Sequence, residues 1–177
     1  MPSSKITDYK KLGYLNAEIW AAHDARDFRK VARLASELLQ ALGFPKGRSV
    51  RAGRIISECY ELADEAEKNP FLYSKIRGKF EVVEKTLGYE KSVAHFQARW
   101  WQGFRERKNL GVFYNIFRQH YRAFGPSNLG KAVTATTYLM RAGLKHKTRD
   151  LDAQAEELAG YWEASSKLPR DRLAFVG

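Results

Sequence analysis

The chain has one cysteine among its 177 residues and no long uninterrupted apolar run. Because Cys59 has no partner within the chain, an internal disulfide is excluded, which is typical of proteins kept in a reducing compartment. The first 15 residues, MPSSKITDYKKLGYL, lack the apolar segment of a signal peptide, and no stretch has the length of a membrane span. These absences predict a cytoplasmic protein, with the nucleoid or the nucleus also compatible, and no membrane partner.

Metal-binding patterns are also missing. The four histidines, at positions 23, 95, 120 and 146, lie far apart in the sequence, and no Cys/His spacing is typical of zinc. The carboxylates between Glu58 and Glu67 are dense, but helical spacing places them on one solvated face. We therefore expect no metal and no cofactor.

The largest deficit is one of negative charge. Residues 107–149 contain nine Lys or Arg and no Asp or Glu, although the chain has 20 acidic residues. Residues 99–149 carry 11 basic groups and 1 acidic group, a net charge of +10, while the whole chain has +11. So strong a local excess of one sign favours a polyanion as the partner, and nucleic acid is the commonest one.

Apolar residues are present in quantity, and they recur at helical spacing. At 44% hydrophobic residues the chain can build a sizeable core. The positions from Phe28 to Leu42 mark one clear amphipathic helix, which Gly43 ends. No alternation of period two and no hairpin turn signal occurs. The sequence therefore predicts an all-α fold, a compact multi-helix bundle of about seven to eight helices with no sheet.

Local signals place several helix boundaries. Ser49 is predicted to cap the third helix, Pro70 to start the fourth and Gly88 to end it. A sixth helix is expected over residues 110–124, with Ser127 and Thr148 capping the next two. We expect one all-helical domain over residues 1–177. A division into sub-units 1–88 and 89–166, with a tail 167–177, is the alternative.

Basic residues fall into stripes on the predicted helices. Arg118 and Arg122 share one face, and Arg107 precedes Arg118 by about three turns. In the following helix the stripe consists of Lys131, Thr134, Tyr138, Arg141 and Lys145, and the apolar side is predicted to consist of Val133, Thr137, Met140 and Leu144. We expect phosphate contacts from these basic residues and from Lys147, and an exposed Tyr138 to stack on an unpaired base.

A second basic cluster includes Lys46, Arg48, Arg51 and Arg54. Positive charge in the first turns of a helix opposes the helix dipole, so Arg48 and Arg51 are further candidates for anion binding. Trp100 and Trp101 point about 100° apart on a helix and cannot share one core, so this pair is a candidate for contact with a protein partner.

Together these features predict a non-catalytic nucleic-acid-binding protein, a subunit of a ribonucleoprotein or nucleoprotein complex. RNA or single-stranded DNA is favoured over duplex DNA, because aromatic residues interleave with the charge. The alternative to nucleic-acid binding is that the basic stripes form ion pairs with acidic helices of the chain. The remaining net charge of +11 argues against that explanation for all of them.

Two other functions use the same residues. The basic face is also suited to docking an acidic protein partner. Arg141 and His146 fit the pattern R-x4-H, which resembles the ribonuclease motif of the all-helical HEPN family. This resemblance covers six residues and implies that the Arg and the His act on the RNA backbone. Ala142 follows the Arg where that family usually has a polar residue.

Overall fold

A computed structural model of the protein describes residues 8–89, 94–105 and 126–168. Within these ranges the chain forms seven α-helices and no strand, which confirms the predicted all-α class. The helices are α1 (Tyr9–Asp24), α2 (Phe28–Ala41), α3 (Lys46–Ala66), α4 (Leu72–Leu87), α5 (Ala94–Arg105), α6 (Pro126–Lys147) and α7 (Leu151–Ser165). The helix expected over residues 110–124 lies outside the described residues.

Helices α1 to α4 run antiparallel to their neighbours, as do α6 and α7, and α7 and α1. From α1 to α5 each helix packs on the next, α6 packs on α7, and α7 returns to pack on α1. This last contact joins the first and last described helices, so residues from both halves of the chain share one core. The contacts that show this order are Glu18 with Lys30, Phe28 with Ser57, Glu58 with Lys79, Arg48 with Gly88, Tyr9 with Ser166, Tyr138 with Gly160 and His146 with Gln154.

The core follows the apolar periodicity of the sequence most closely in α2. Val31, Leu34, Leu38 and Leu39 are all buried there, as predicted. The single cysteine, Cys59, is also completely buried. Apolar burial of this kind is the main stabilising contribution to the bundle.

Close helix contact depends on glycine at two crossings. A methyl group at Gly13 of α1 would lie 2.7 Å from the backbone nitrogen of Ala159 in α7. At Gly53 of α3 it would lie 2.6 Å from the carbonyl oxygen of Ala32 in α2. Both neighbours are backbone atoms that cannot move aside, so these glycines fix the distances between their helices.

Two predicted helix caps are wrong, and each error has a physical reason. Helix α3 begins at Lys46 after Pro45, and the hydroxyl of the buried Ser49 donates to the Pro45 carbonyl at 3.0 Å within the first turn. Asp150, not Thr148, caps α7 by accepting from the Ala153 amide at 3.0 Å. Thr148 and Asp150 are both able to cap α7, and the N-cap of α3 makes no side-chain hydrogen bond, so capping signals in the sequence fix neither boundary.

Two further boundaries differ from the prediction by one or two residues. Helix α4 begins at Leu72 instead of Pro70, and α6 begins at Pro126, which places Ser127 inside the helix. The end of α4 is as predicted. Gly88 adopts the left-handed conformation with φ of 88°, where a residue with a side chain would be strained.

The predicted apolar side of α6 is wrong for three of its four residues, whereas the fourth, Met140, is partly buried against the core. Val133 is 38% exposed and Leu144 is 62% exposed, and Thr137 is exposed too. The buried stripe consists instead mainly of small residues, namely Ala132, Ala135, Thr136, Leu139, Ala142 and Gly143.

Candidate nucleic-acid interface

The antiparallel order gives the bundle one end that is mainly basic and one of mixed charge, and Asp8, the N-cap of α1, is an exposed carboxylate at the mainly basic end. Helices α1, α3 and α6 begin at the same end, where α2, α4 and α7 finish. Exposed cations accumulate there from the first turns of α1 and α3 and the last turn of α4. We call this surface the basic end and define it by Lys10, Lys11, Lys46, Arg48, Arg51 and Lys85.

Within the described part of the chain, no carboxylate pairs with a cation of the basic end. The ion pairs found there are formed by other cations or by histidines. Helix α3 has no acidic residue in its first turn, and its N-cap, Pro45, makes no side-chain hydrogen bond. Cations at a helix start are unfavourable by about 0.3–1 kcal/mol each, so this arrangement is opposed by the α3 dipole and is suited to an anion.

Arg48 occupies the junction of α3 and α4. Its Nη1 atom lies 3.3 Å from the position that a Cβ on Gly88 would occupy. The glycine therefore has two roles, since it permits the left-handed turn and leaves room for the guanidinium. This placement brings Arg48 to the same end as Lys85, which is one turn earlier on α4.

The predicted basic stripe on α6 is interrupted by contacts with α7. The Arg141 guanidinium pairs with Glu157 at 2.8 Å, so its charge is compensated within the fold. Tyr138 is only partly exposed, because its ring packs over Gly160, where a Cβ would lie 2.5 Å from the Tyr138 Cε1 atom. The expectation that Tyr138 presents an exposed ring to a base is therefore corrected.

Lys131, Lys145 and Lys147 are exposed on α6, and within the described residues none pairs with a carboxylate. They do not form one patch, because Lys131 lies near the start of the helix and the other two at its end. Cations in a last turn are also favoured by the helix dipole. Helix stability alone therefore explains the positions of Lys145 and Lys147 in the last turn of α6. It does not explain the positions of Arg48 and Arg51 near the start of α3.

The end opposite the basic end has mixed charge. His146, near the end of α6, contacts Asp24 at 3.0 Å. His23, which precedes Asp24 in the chain, contacts Asp64 at 2.8 Å. Arg48 and Asp64 are 16 residues apart on α3, a rise of about 24 Å. The structure therefore does not bring Lys145 and Lys147 together with Arg48 and Arg51.

The two residues of the R-x4-H pattern are held by different contacts. His146 contacts Asp24 through Nε2 and Gln154 through Nδ1, at 3.0 and 3.2 Å. Arg141 pairs with Glu157. Five residues on an α-helix turn through about 140°, which separates the two side chains. The described geometry does not join them into one site.

Of the Trp pair, Trp101 belongs to the core. It is 6% exposed and packs against Tyr60 and Phe80, with ring centroids 4.6 and 5.3 Å away. Its predicted contact with a protein partner is corrected, because the burial leaves almost no surface for a partner. The Trp100 side chain lies outside the described part of the structure, as do Arg107, Arg118 and Arg122, and the contacts expected of these four residues remain predictions.

Positively charged side chains also lie near the start of α5. The pKa of His95 is lowered by partial burial and by the nearby charges of Arg77 and Arg99. Within the residues described, no group of three or more His, Cys, Asp or Glu is arranged to hold a metal ion.

The sequence does not group Lys10, Lys11 and Lys85 with Arg48 and Arg51. These residues are spread from position 10 to position 85, and no local pattern distinguishes them. Only the antiparallel packing brings them to one end.

Comparison with models of protein families, with curated proteins and with solved structures gave no match, so no relative's site can be transferred to this chain. In the part of the chain that is described, no helix combines the length and apolarity needed to cross a membrane.

Proposed function

We propose that this protein binds nucleic acid through the phosphates and has no catalytic step of its own. The observation that carries the proposal is the basic end, where six exposed cations lie without a carboxylate partner among the described residues. Each cation that neutralises a phosphate releases condensed counterions, which drives binding without base recognition. The acid-free stretch of residues 107–149 adds to the same electrostatic attraction.

We favour RNA or single-stranded DNA over duplex DNA as the ligand. Arg side chains form bidentate contacts with phosphates and stack on unpaired bases, and the basic regions contain both Arg and aromatic residues. In a cell the protein is proposed to act as a subunit of a nucleoprotein complex, together with a protein partner.

The first experiment measures binding of labelled single-stranded RNA, single-stranded DNA and duplex DNA over a salt series. The test variant is Arg48→Glu/Arg51→Glu. The matched control is Lys68→Glu/Lys75→Glu, which makes the same change in net charge at exposed positions just after α3 and in α4, near the opposite end. We expect the test variant to bind more weakly and to have a shallower salt slope, by roughly 0.7–0.9 for each phosphate that is no longer neutralised.

Equal losses of affinity in the two variants would show that net charge, and not the basic end, governs binding. Absence of binding at low salt would refute the proposal and would favour an acidic protein partner, which a plain oligonucleotide would then fail to displace. RNA integrity is checked on a gel in parallel. Cleavage that disappears in His146→Ala would favour the HEPN-like ribonuclease instead.

A further inference from the structure

A cleft runs between α2 and α3, next to the basic end. Its volume is about 320 Å³, near the lower limit of roughly 300–1,000 Å³ that is usual for ligand pockets. It is lined by Ala32, Arg33, Ser36, Glu37, Gln40, Val50 and Arg54.

The shape of the cleft follows from the crossing at Gly53. Here α2 and α3 are in backbone contact, since even a methyl group on Gly53 would meet the nitrogen of Ser36 at 2.8 Å. Towards the start of α3 the residues that face each other across the cleft are Gln40 and Val50, both of which are larger. Two helices held together at one point and separated by side chains beyond it leave a slot between them, which is open to solvent.

The polar groups of the slot are fixed in position. The Gln40 amide nitrogen donates to both the carbonyl and the hydroxyl oxygen of Ser36, each at 3.1 Å. This leaves the Gln40 amide oxygen as an acceptor on a side chain that is held in place. Arg33 and Glu37 form an ion pair one turn away on the same helix. The walls contributed by Ala32 and Val50 are apolar.

Arginine side chains lead from the basic end to this slot. Arg48, Arg51 and Arg54 recur every three residues on α3, with a rise of about 4.5 Å and a turn of about 60° at each step, so they wind around the helix towards the slot. All three are exposed, and none has a carboxylate partner among the described residues. Arg54 also lines the slot, so a strand whose phosphates contact this row would have its bases beside the slot.

We propose that the slot between α2 and α3 holds one unpaired nucleobase of a single strand whose phosphates lie on Arg48, Arg51 and Arg54. This inference rests on the proposed function and adds base contact to it. A flat base would rest against the apolar side chains of Ala32 and Val50, with its polar edge near the Gln40 amide and the Glu37 carboxylate. A paired base does not enter, because its edge is bonded to its partner and its faces are stacked.

The test compares two single-stranded DNAs of equal length and charge, one of adenosines and one of abasic units. We expect the wild-type protein to bind the base-bearing strand roughly tenfold more tightly, which corresponds to about 1.4 kcal/mol. Val50→Phe fills the slot and abolishes this difference. Val82→Phe is the matched control, because Val82 is an exposed valine on α4, 45% accessible against 37% for Val50.

Gln40→Ala is a second variant, which removes the fixed amide without filling the slot. It is expected to change the relative affinities for the four homopolymeric strands, of RNA and of DNA, while the salt slope stays the same. Circular dichroism melting curves confirm that each variant is folded.

Each outcome decides the proposal. Equal affinity of the wild-type protein for the base-bearing and abasic strands, with a steep salt slope, would overturn the slot and leave phosphate binding intact. Disappearance of the difference in Val82→Phe as well would also overturn it. No binding of either strand would refute the proposed function and the slot together.

Discussion

Single residues of the same type have opposite roles in this bundle. Phe80 is 2% exposed and contacts the buried Trp101, whereas Phe71, just before α4, is 86% exposed. Only the residue that leaves water on folding contributes its transfer free energy to stability.

We therefore expect Phe80→Ala to reduce the free energy of unfolding by about 3–5 kcal/mol, since it opens a cavity in the core. Phe71→Ala is expected to change it by less than about 0.5 kcal/mol. Urea unfolding followed by circular dichroism measures both. A large loss of stability in Phe71→Ala would show that this ring is covered in solution.

Cys59 is a second case in which burial decides a property. Desolvation is the main cause that raises the pKa of its thiol to about 12, from an ordinary value of 9.0. The thiolate is the reactive form, so we expect native Cys59 to be inert to thiol reagents at neutral pH and to react once urea unfolds the chain.

The same shift gives a pH dependence with a defined sign. The unfolded thiol loses its proton near pH 9, and the folded thiol keeps it until about pH 12. The contribution to stability is therefore complete below pH 9 and is lost as the pH rises through this range. Cys59→Ala should show a smaller loss of stability over the same range, and an identical loss would assign the effect to other groups.

At the scale of the elements, glycines set the spacing of the helices. Gly13 lies where α1 and α7 are in backbone contact, whereas Gly78 in α4 has no atom within 4 Å of where its Cβ would be. Both are helical, so the intrinsic gain from glycine to alanine is the same at the two positions, about 1 kcal/mol.

Gly13→Ala is expected to destabilise the protein by about 1–3 kcal/mol, because the methyl group meets fixed backbone atoms. Gly78→Ala is expected to stabilise it by up to about 1 kcal/mol. Thermal melts of the two variants under the same conditions measure both changes in stability. If both raised the melting temperature, the close approach of α1 and α7 would be wrong.

At the scale of the whole molecule, α7 packs on α1 and so joins the last described helix to the first. Helices near both ends of the described chain share one core, which favours a single cooperative unfolding transition. We expect tryptophan fluorescence and far-ultraviolet circular dichroism to give the same urea midpoint. Two separate midpoints would instead support the sub-units 1–88 and 89–166.

Charge is also a property of the whole molecule. The cations of the basic end come from α1, α3 and α4, and the cleft beside it from α2 and α3. Each helix alone has an ordinary polar face. Their cations form one basic surface only because alternate helices start at the same end.

The sequence by itself determined the all-α class, the buried face of α2, the left-handed end of α4 at Gly88 and the excess of positive charge. These follow from local spacing, glycine conformation and composition, which do not depend on distant residues. Tertiary structure alone decided that Trp101 is buried, that α6 packs through its alanines, and that Arg141 pairs with Glu157. It also decided which cations meet at the basic end, because these contacts depend on which helices lie side by side and on their directions.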